Sequence, residues 1–87
     1  MDDIKILLNE TTFTNLCKSG FVLYNHPKYG RFDIPITKID IKNMAKGEII
    51  KKDLEYNFQI AVSDFGFENI KEIIKRSPLY ADLYYEI

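Results

Sequence analysis

From Leu54 to Val62 the chain reads Leu-Glu-Tyr-Asn-Phe-Gln-Ile-Ala-Val, with a large apolar residue at every even position and a polar or small one at every odd position. Successive side chains of an extended strand point to opposite faces, so this period of two predicts a strand with one buried and one wetted face. A shorter strand, Glu48-Ile49-Ile50, is expected to pair with it across a turn at Lys51-Lys52-Asp53. Residues 3 to 8 form a first strand by the same test, although Ile6, Leu7 and Leu8 in a row also suit a helix. Phe21-Val22-Leu23-Tyr24 and Arg31 to Thr37 suggest two more strands, joined by the turn-rich Asn25-His26-Pro27-Lys28-Tyr29-Gly30. Phe32, Ile34 and Ile36 share a face of the second, and Pro35, lacking an amide proton, places it at an edge or a bulge.

Helical spacing appears between these segments. Phe13, Leu16 and Cys17 fall on one side of a short helix, Phe13 to Ser19, capped by Thr11 or Thr12 and stopped by Gly20. Beyond Thr37 the apolar residues leave the strand phase, and Ile39, Ile41, Met44 and Ala45 predict a helix from about Asp40 to Lys46. Phe67, Ile70, Ile73 and Ile74 line the inner side of a helix to Arg76, with Ser63 or Asp64 as cap. On its outer side Glu72 faces Arg76 and Glu68 faces Lys71. Ser77-Pro78 ends that helix and opens another, with Leu79, Tyr80, Leu83, Tyr84 and Ile87 on one side and Asp82, Tyr85 and Glu86 on the other.

These elements make an α+β fold: an antiparallel sheet of four to five short strands, helices on one face, and a C-terminal helix pair. The 87 residues contain no repeat or linker, so residues 1–87 form one domain. At 46% apolar residues there is material for a core. Cys17 is the only cysteine, which excludes an internal disulfide and suits a reducing compartment. The start carries acids where a signal peptide needs bases, and its apolar run is short, so a cytoplasmic location without membrane contact is expected.

Charge changes the picture more than composition does. The net charge is only −1, yet residues 18 to 52 hold eight bases against three acids, and residues 53 to 87 hold seven acids against three bases. Segregated charge steers encounters and selects partners, which points to function by binding.

Catalytic chemistry has little to build on. His26 is the only histidine and stands beside Pro27 in a turn, too few ligands for a metal. A Cys17–His26 dyad would lack a third group to orient the imidazole. Asp33 with Asp40-Ile41-Lys42 loosely resembles the metal-dependent nuclease pattern, in which two carboxylates hold a divalent ion and a lysine meets the developing charge. The four glycines are dispersed, so no phosphate-binding loop forms. No catalytic residue, metal ligand or cofactor is therefore assigned.

Two binding surfaces remain. Tyr80, Asp82, Tyr84, Tyr85 and Glu86 make an acidic, tyrosine-rich end suited to a basic groove on a larger protein, including one that normally holds nucleic acid. Lys28, Tyr29 and Arg31, followed by Lys42, Lys46, Lys51 and Lys52, suit a phosphate backbone with a stacked base. The leading expectation is a small non-catalytic protein-binding domain, most concretely a phage- or mobile-element-type inhibitor of a host nucleic-acid enzyme. The AT-rich coding flavour of the Ile-, Lys- and Asn-rich chain suits that source. A nucleic-acid-binding accessory protein comes second and a small metal-dependent nuclease third.

Overall fold

A computed structural model describes residues 3–87, so Met1 and Asp2 of the acidic start lie outside the described part. Its elements run β1 (Asp3–Leu8), α1 (Glu10–Ser19), β2 (Phe21–His26), β3 (Gly30–Pro35), α2 (Lys38–Ala45), β4 (Ile50–Asp53), β5 (Asn57–Val62), α3 (Phe67–Lys75) and a closing 3-10 helix, Ala81–Glu86. The α+β class and five short strands agree with the hydrophobic pattern. The strands form two sheets, however: one ordered β1–β5–β4, the other a β2–β3 ribbon. Within the first, β1 runs parallel to β5, with Ile6 opposite Ile60, and β4 runs antiparallel to it.

The alternation is strongest in β5 because one face of that strand packs into the core while the other stays partly exposed. β5 is the central strand of its sheet, with Phe58 and Ile60 fully buried. The alternation overshoots at its start, because Leu54 is 50% exposed and belongs to the turn before β5. Lys51, Lys52 and Asp53, expected as that turn, pair with Gln59, Phe58 and Asn57 instead. The turn falls at Leu54-Glu55-Tyr56, where the Leu54 N–H donates to the Tyr56 carbonyl.

Caps account for the other shifts in boundaries. Asn9, not Thr11 or Thr12, begins α1: its Oδ1 accepts from the Thr12 N–H at 2.9 Å, while Thr12 Oγ1 accepts from the Asn9 N–H at 2.8 Å. This reciprocal box satisfies donors that a helix start otherwise leaves open. Thr37 and Asp40 repeat the arrangement at α2, which therefore starts at Lys38, ahead of the expected Asp40. At α3 neither Ser63 nor Asp64 caps the helix. Gly66 holds that position with φ 102°, a conformation open to glycine, and a Cβ there would meet Asn69 at 3.2 Å.

Phe13, Leu16, Cys17, Ile34, Ile41, Met44, Phe58, Ile60 and Ile74 form the centre of one core shared by both sheets and all three α-helices. Phe67, expected on the inner side of α3, is about half exposed and lies beneath the Lys71 ammonium. The expected C-terminal α-helix is a turn followed by the 3-10 helix. Ser77 Oγ keeps its capping role, accepting from the Leu79 and Tyr80 N–H groups, and donates to the Cys17 carbonyl. The Tyr80 hydroxyl donates to the Ile36 carbonyl at 2.7 Å. Both anchors lie ahead of the 3-10 helix and fix the turn that leads into it.

Candidate functional site

Folding brings the acidic end onto the basic middle. Lys38 Nζ donates to Asp82 at 2.7 Å, and Lys42 Nζ lies 3.4 Å from Glu86, so two successive turns of α2 meet two of the 3-10 helix. The Lys38 hydrogen bond holds the Asp82 carboxyl below its ordinary value. Both pairs are substantially exposed, and such pairs add little to stability and exchange readily with other partners.

The five residues of the tyrosine-rich end separate into distinct roles. Tyr80 is buried, and burial foremost, then the nearby Cys17 and Asp40, raises its phenol above the ordinary value. Tyr84 is half-buried, with Lys71 Nζ at 5.4 Å and Lys75 Nζ at 5.3 Å from its ring centre. Tyr85 sits edge-on to Tyr84 and is 88% exposed, the most open large apolar side chain described. Asp82, Glu86 and Tyr85 thus share an open surface, and Tyr80 belongs to the core.

The seven residues of the basic surface do not act alike. Tyr29 is the middle ring of a stack, with His26 at 4.5 Å and Tyr56 at 4.4 Å. Both its faces are covered, so it cannot receive a base as the sequence suggested. Lys28 Nζ lies over the same ring, and Arg31 pairs with Asp33 along β3. Lys42 meets Glu86, and Lys52 meets Asp40 in a pair whose side chains are only 20% and 14% exposed. Lys46 and Lys51 remain exposed.

The nuclease-like residues are each engaged separately: Asp33 by Arg31, Asp40 by Lys52 and the Thr37 cap, Lys42 by Glu86. Burial works to raise the Asp40 carboxyl, but hydrogen bonds from Lys52 and Thr37, with the Lys52 charge, outweigh it and hold the group low. Among the described residues no three His, Cys, Asp or Glu side chains gather as metal ligands. Cys17 faces the core, and burial pushes its thiol up to about 12. His26 Nδ1 accepts from the Lys28 and Tyr29 N–H groups and so closes the hairpin turn.

Sequence reasoning missed two features. The first is the aromatic ladder from His26 through Tyr29 and Tyr56 to Phe32 and Phe58, which ties the β2–β3 turn to the start of β5. The second is a groove of about 260 Å³ between β1 and β2, floored by α1. Leu7, 69% exposed, and Leu23, 57% exposed, stand on its walls. Their apolar character at outward strand positions was the available signal. A larger cleft of about 510 Å³ between α1 and α3 carries mixed charge from Glu10, Lys18, Glu72 and Arg76.

Among the described residues no helix is long and apolar enough to cross a membrane. Comparison with known protein families, curated proteins and solved structures finds no match to this chain.

Proposed function

We propose that this protein works by binding a larger protein through the open surface of its C-terminal 3-10 helix, with Tyr85 as the anchor. The observation that carries it is the placement of Tyr85: an aromatic ring with 88% of its area exposed, flanked by Asp82 and Glu86. Exposed tyrosine offers a rigid contact area with a polar tip, and interface anchors are drawn from such residues. The exposed Lys38–Asp82 and Lys42–Glu86 pairs leave both carboxylates close to solvent, where a basic groove can compete for them. In its most concrete form the partner is a nucleic-acid-handling enzyme, the protein is its inhibitor encoded by a phage or mobile element, and both meet in the cytoplasm. Small size and the coding flavour of the chain support that form.

Nucleic-acid binding through the basic segment is the alternative. It keeps support from the exposed Lys46 and Lys51 and loses its stacking residue in Tyr29. The two are separated by capture of partners from a nuclease-treated lysate on immobilised parent, Tyr85→Ala and Lys46→Glu/Lys51→Glu proteins. A protein retained by the parent and by the lysine variant, and lost on Tyr85→Ala, supports the proposal. Oligonucleotide binding that falls steeply with salt and disappears only in the lysine variant overturns it. Lys52 is left intact because it supports the α2 cap through Asp40.

A further inference from the structure

We propose that the groove between β1 and β2 accepts an extended segment of another protein as an additional β-strand, joining the two sheets in the order β4–β5–β1–guest–β2–β3. This site is separate from the Tyr85 surface and does not rest on the function proposed for it.

The backbone carries the inference. Leu8 accepts through its carbonyl from Ser63 N–H, one residue beyond its register partner Val62. In a parallel ladder the residue that accepts in this way also donates to the same neighbour, so Ile4, Ile6 and Leu8 bond toward β5. Lys5 and Leu7, in between, direct their N–H and C=O groups away from β5, to the free edge of the sheet. On the other wall, Ile36 N–H donates to the Gly20 carbonyl. The antiparallel register then makes Val22–Ile34 and Tyr24–Phe32 the hydrogen-bonded pairs, and Phe21, Leu23 and Asn25 point their backbone groups away from β3. Phe21 is closed off by Ser19 Oγ, which engages both its N–H and its carbonyl. Leu23 and Asn25 stay open to a guest.

The groove runs along these edges and not across a sheet face. Its walls take consecutive residues, Ile6-Leu7-Leu8 and Phe21-Val22-Leu23-Tyr24, which alternate between inward and outward side chains. Leu16 of α1 lies at its base. A strand edge beside exposed leucines is a template for pairing, and natural proteins leave one open where a strand is to be added.

The chemistry also selects the occupant. To bond both walls a guest needs two free edges. In a second folded copy β1, β2, β3 and β4 each have one edge already paired, and β5 has both. The guest is therefore a segment without a sheet of its own in the partner, extended, with apolar side chains at alternate positions to meet Leu7, Leu23 and Phe21.

The test uses a random library of bead-bound peptides about eight residues long, which span roughly 27 Å when extended. Against the folded protein, the expected peptides alternate apolar and polar residues and slow hydrogen exchange at the Lys5, Leu7, Leu23 and Asn25 amides. Leu7→Lys and Leu23→Lys alter outward side chains and leave the fold intact by circular dichroism. Each should weaken the selected peptides by at least about tenfold, the equivalent of losing one buried leucine contact. N-methylation along either peptide edge should weaken binding, and along both edges abolish it. Recovery of no binding peptide, protection confined to other amides, or indifference to N-methylation overturns the proposal. So does protection that appears without peptide as the protein self-associates, since the occupant would then be a second copy.

Discussion

The Lys52 ammonium lies 2.5 Å from the Asp40 carboxylate, joining β4 to the first turn of α2. Asp40 also accepts from the Thr37 N–H at 2.9 Å. One carboxylate thus serves both as helix cap and as the cross-element ion-pair partner of a strand lysine. Two residues that stood out as candidate nucleic-acid or metal chemistry are explained by the architecture that holds them.

Replacing Asp40 by Ala should destabilise the protein by about 1–3 kcal/mol, since a capping contact and a charged hydrogen bond are lost together. Asp40→Asn should cost less, because the amide oxygen can still accept from Thr37. The sign of the pH dependence follows from the lowered carboxyl of Asp40. Its stabilisation is present above the ordinary carboxylate pKa and disappears as pH falls through the lowered folded value. Urea unfolding of parent and Asp40→Asn at neutral and acid pH should show the two converging in acid.

Cys17 should resist thiol reagents in the folded protein, and unfolding should be the same with and without reductant. The thiol is 1% exposed and pushed up to about 12. A raised thiol stabilises the fold fully below the unfolded pKa and loses that contribution as pH rises from its ordinary 9.0 toward about 12. Cys17→Ala should therefore lose less stability than the parent across that alkaline window, measured by denaturant titration. Rapid labelling of the native protein would contradict the burial.

Phe58→Ala and Ile60→Ala should each cost roughly 2–5 kcal/mol, enough to unfold much of so small a domain. Leu54→Ala should change stability by less than about 0.5 kcal/mol, because the side chain is half exposed in a turn. Thermal melts of the three variants check the contrast. Equal effects would place Leu54 inside the strand.

Ser77→Ala should destabilise by about 1–3 kcal/mol, since it strands the Leu79 and Tyr80 N–H groups and the Cys17 carbonyl together. Tyr80→Phe removes the bond to the Ile36 carbonyl and should cost about 1 kcal/mol. If the two bonds act as one clamp on the C-terminal segment, the double variant should depart from additivity in a mutant cycle.

Much of this fold is local. The inward residues Ile4, Ile6 and Leu8 of β1, Phe13, Leu16 and Cys17 of α1, and Phe58 and Ile60 of β5 follow from periods of two and of three to four, because backbone geometry alone sets which side chains share a face. Gly20 as the end of α1 follows from the left-handed φ of 84° that a helix terminator adopts. The α+β class rests on such signals, and they need no knowledge of what packs against what.

Pairing between distant segments does not leave that kind of trace. Nothing in Asp3–Leu8 announces that it runs parallel to Asn57–Val62, and nothing in Phe21–His26 says that it stays apart from both. The same holds for charge. A basic stretch and an acidic stretch look like two surfaces until α2 and the 3-10 helix bring Lys38 to Asp82 and Lys42 to Glu86. Tyr29 looks like an open ring until His26 and Tyr56 close over it. Sequence determined which residues turn inward, since that is a property of neighbours along the chain. Only the tertiary structure decided which exposed groups are already engaged and which strand edges stay open, because those depend on contacts between segments far apart in sequence.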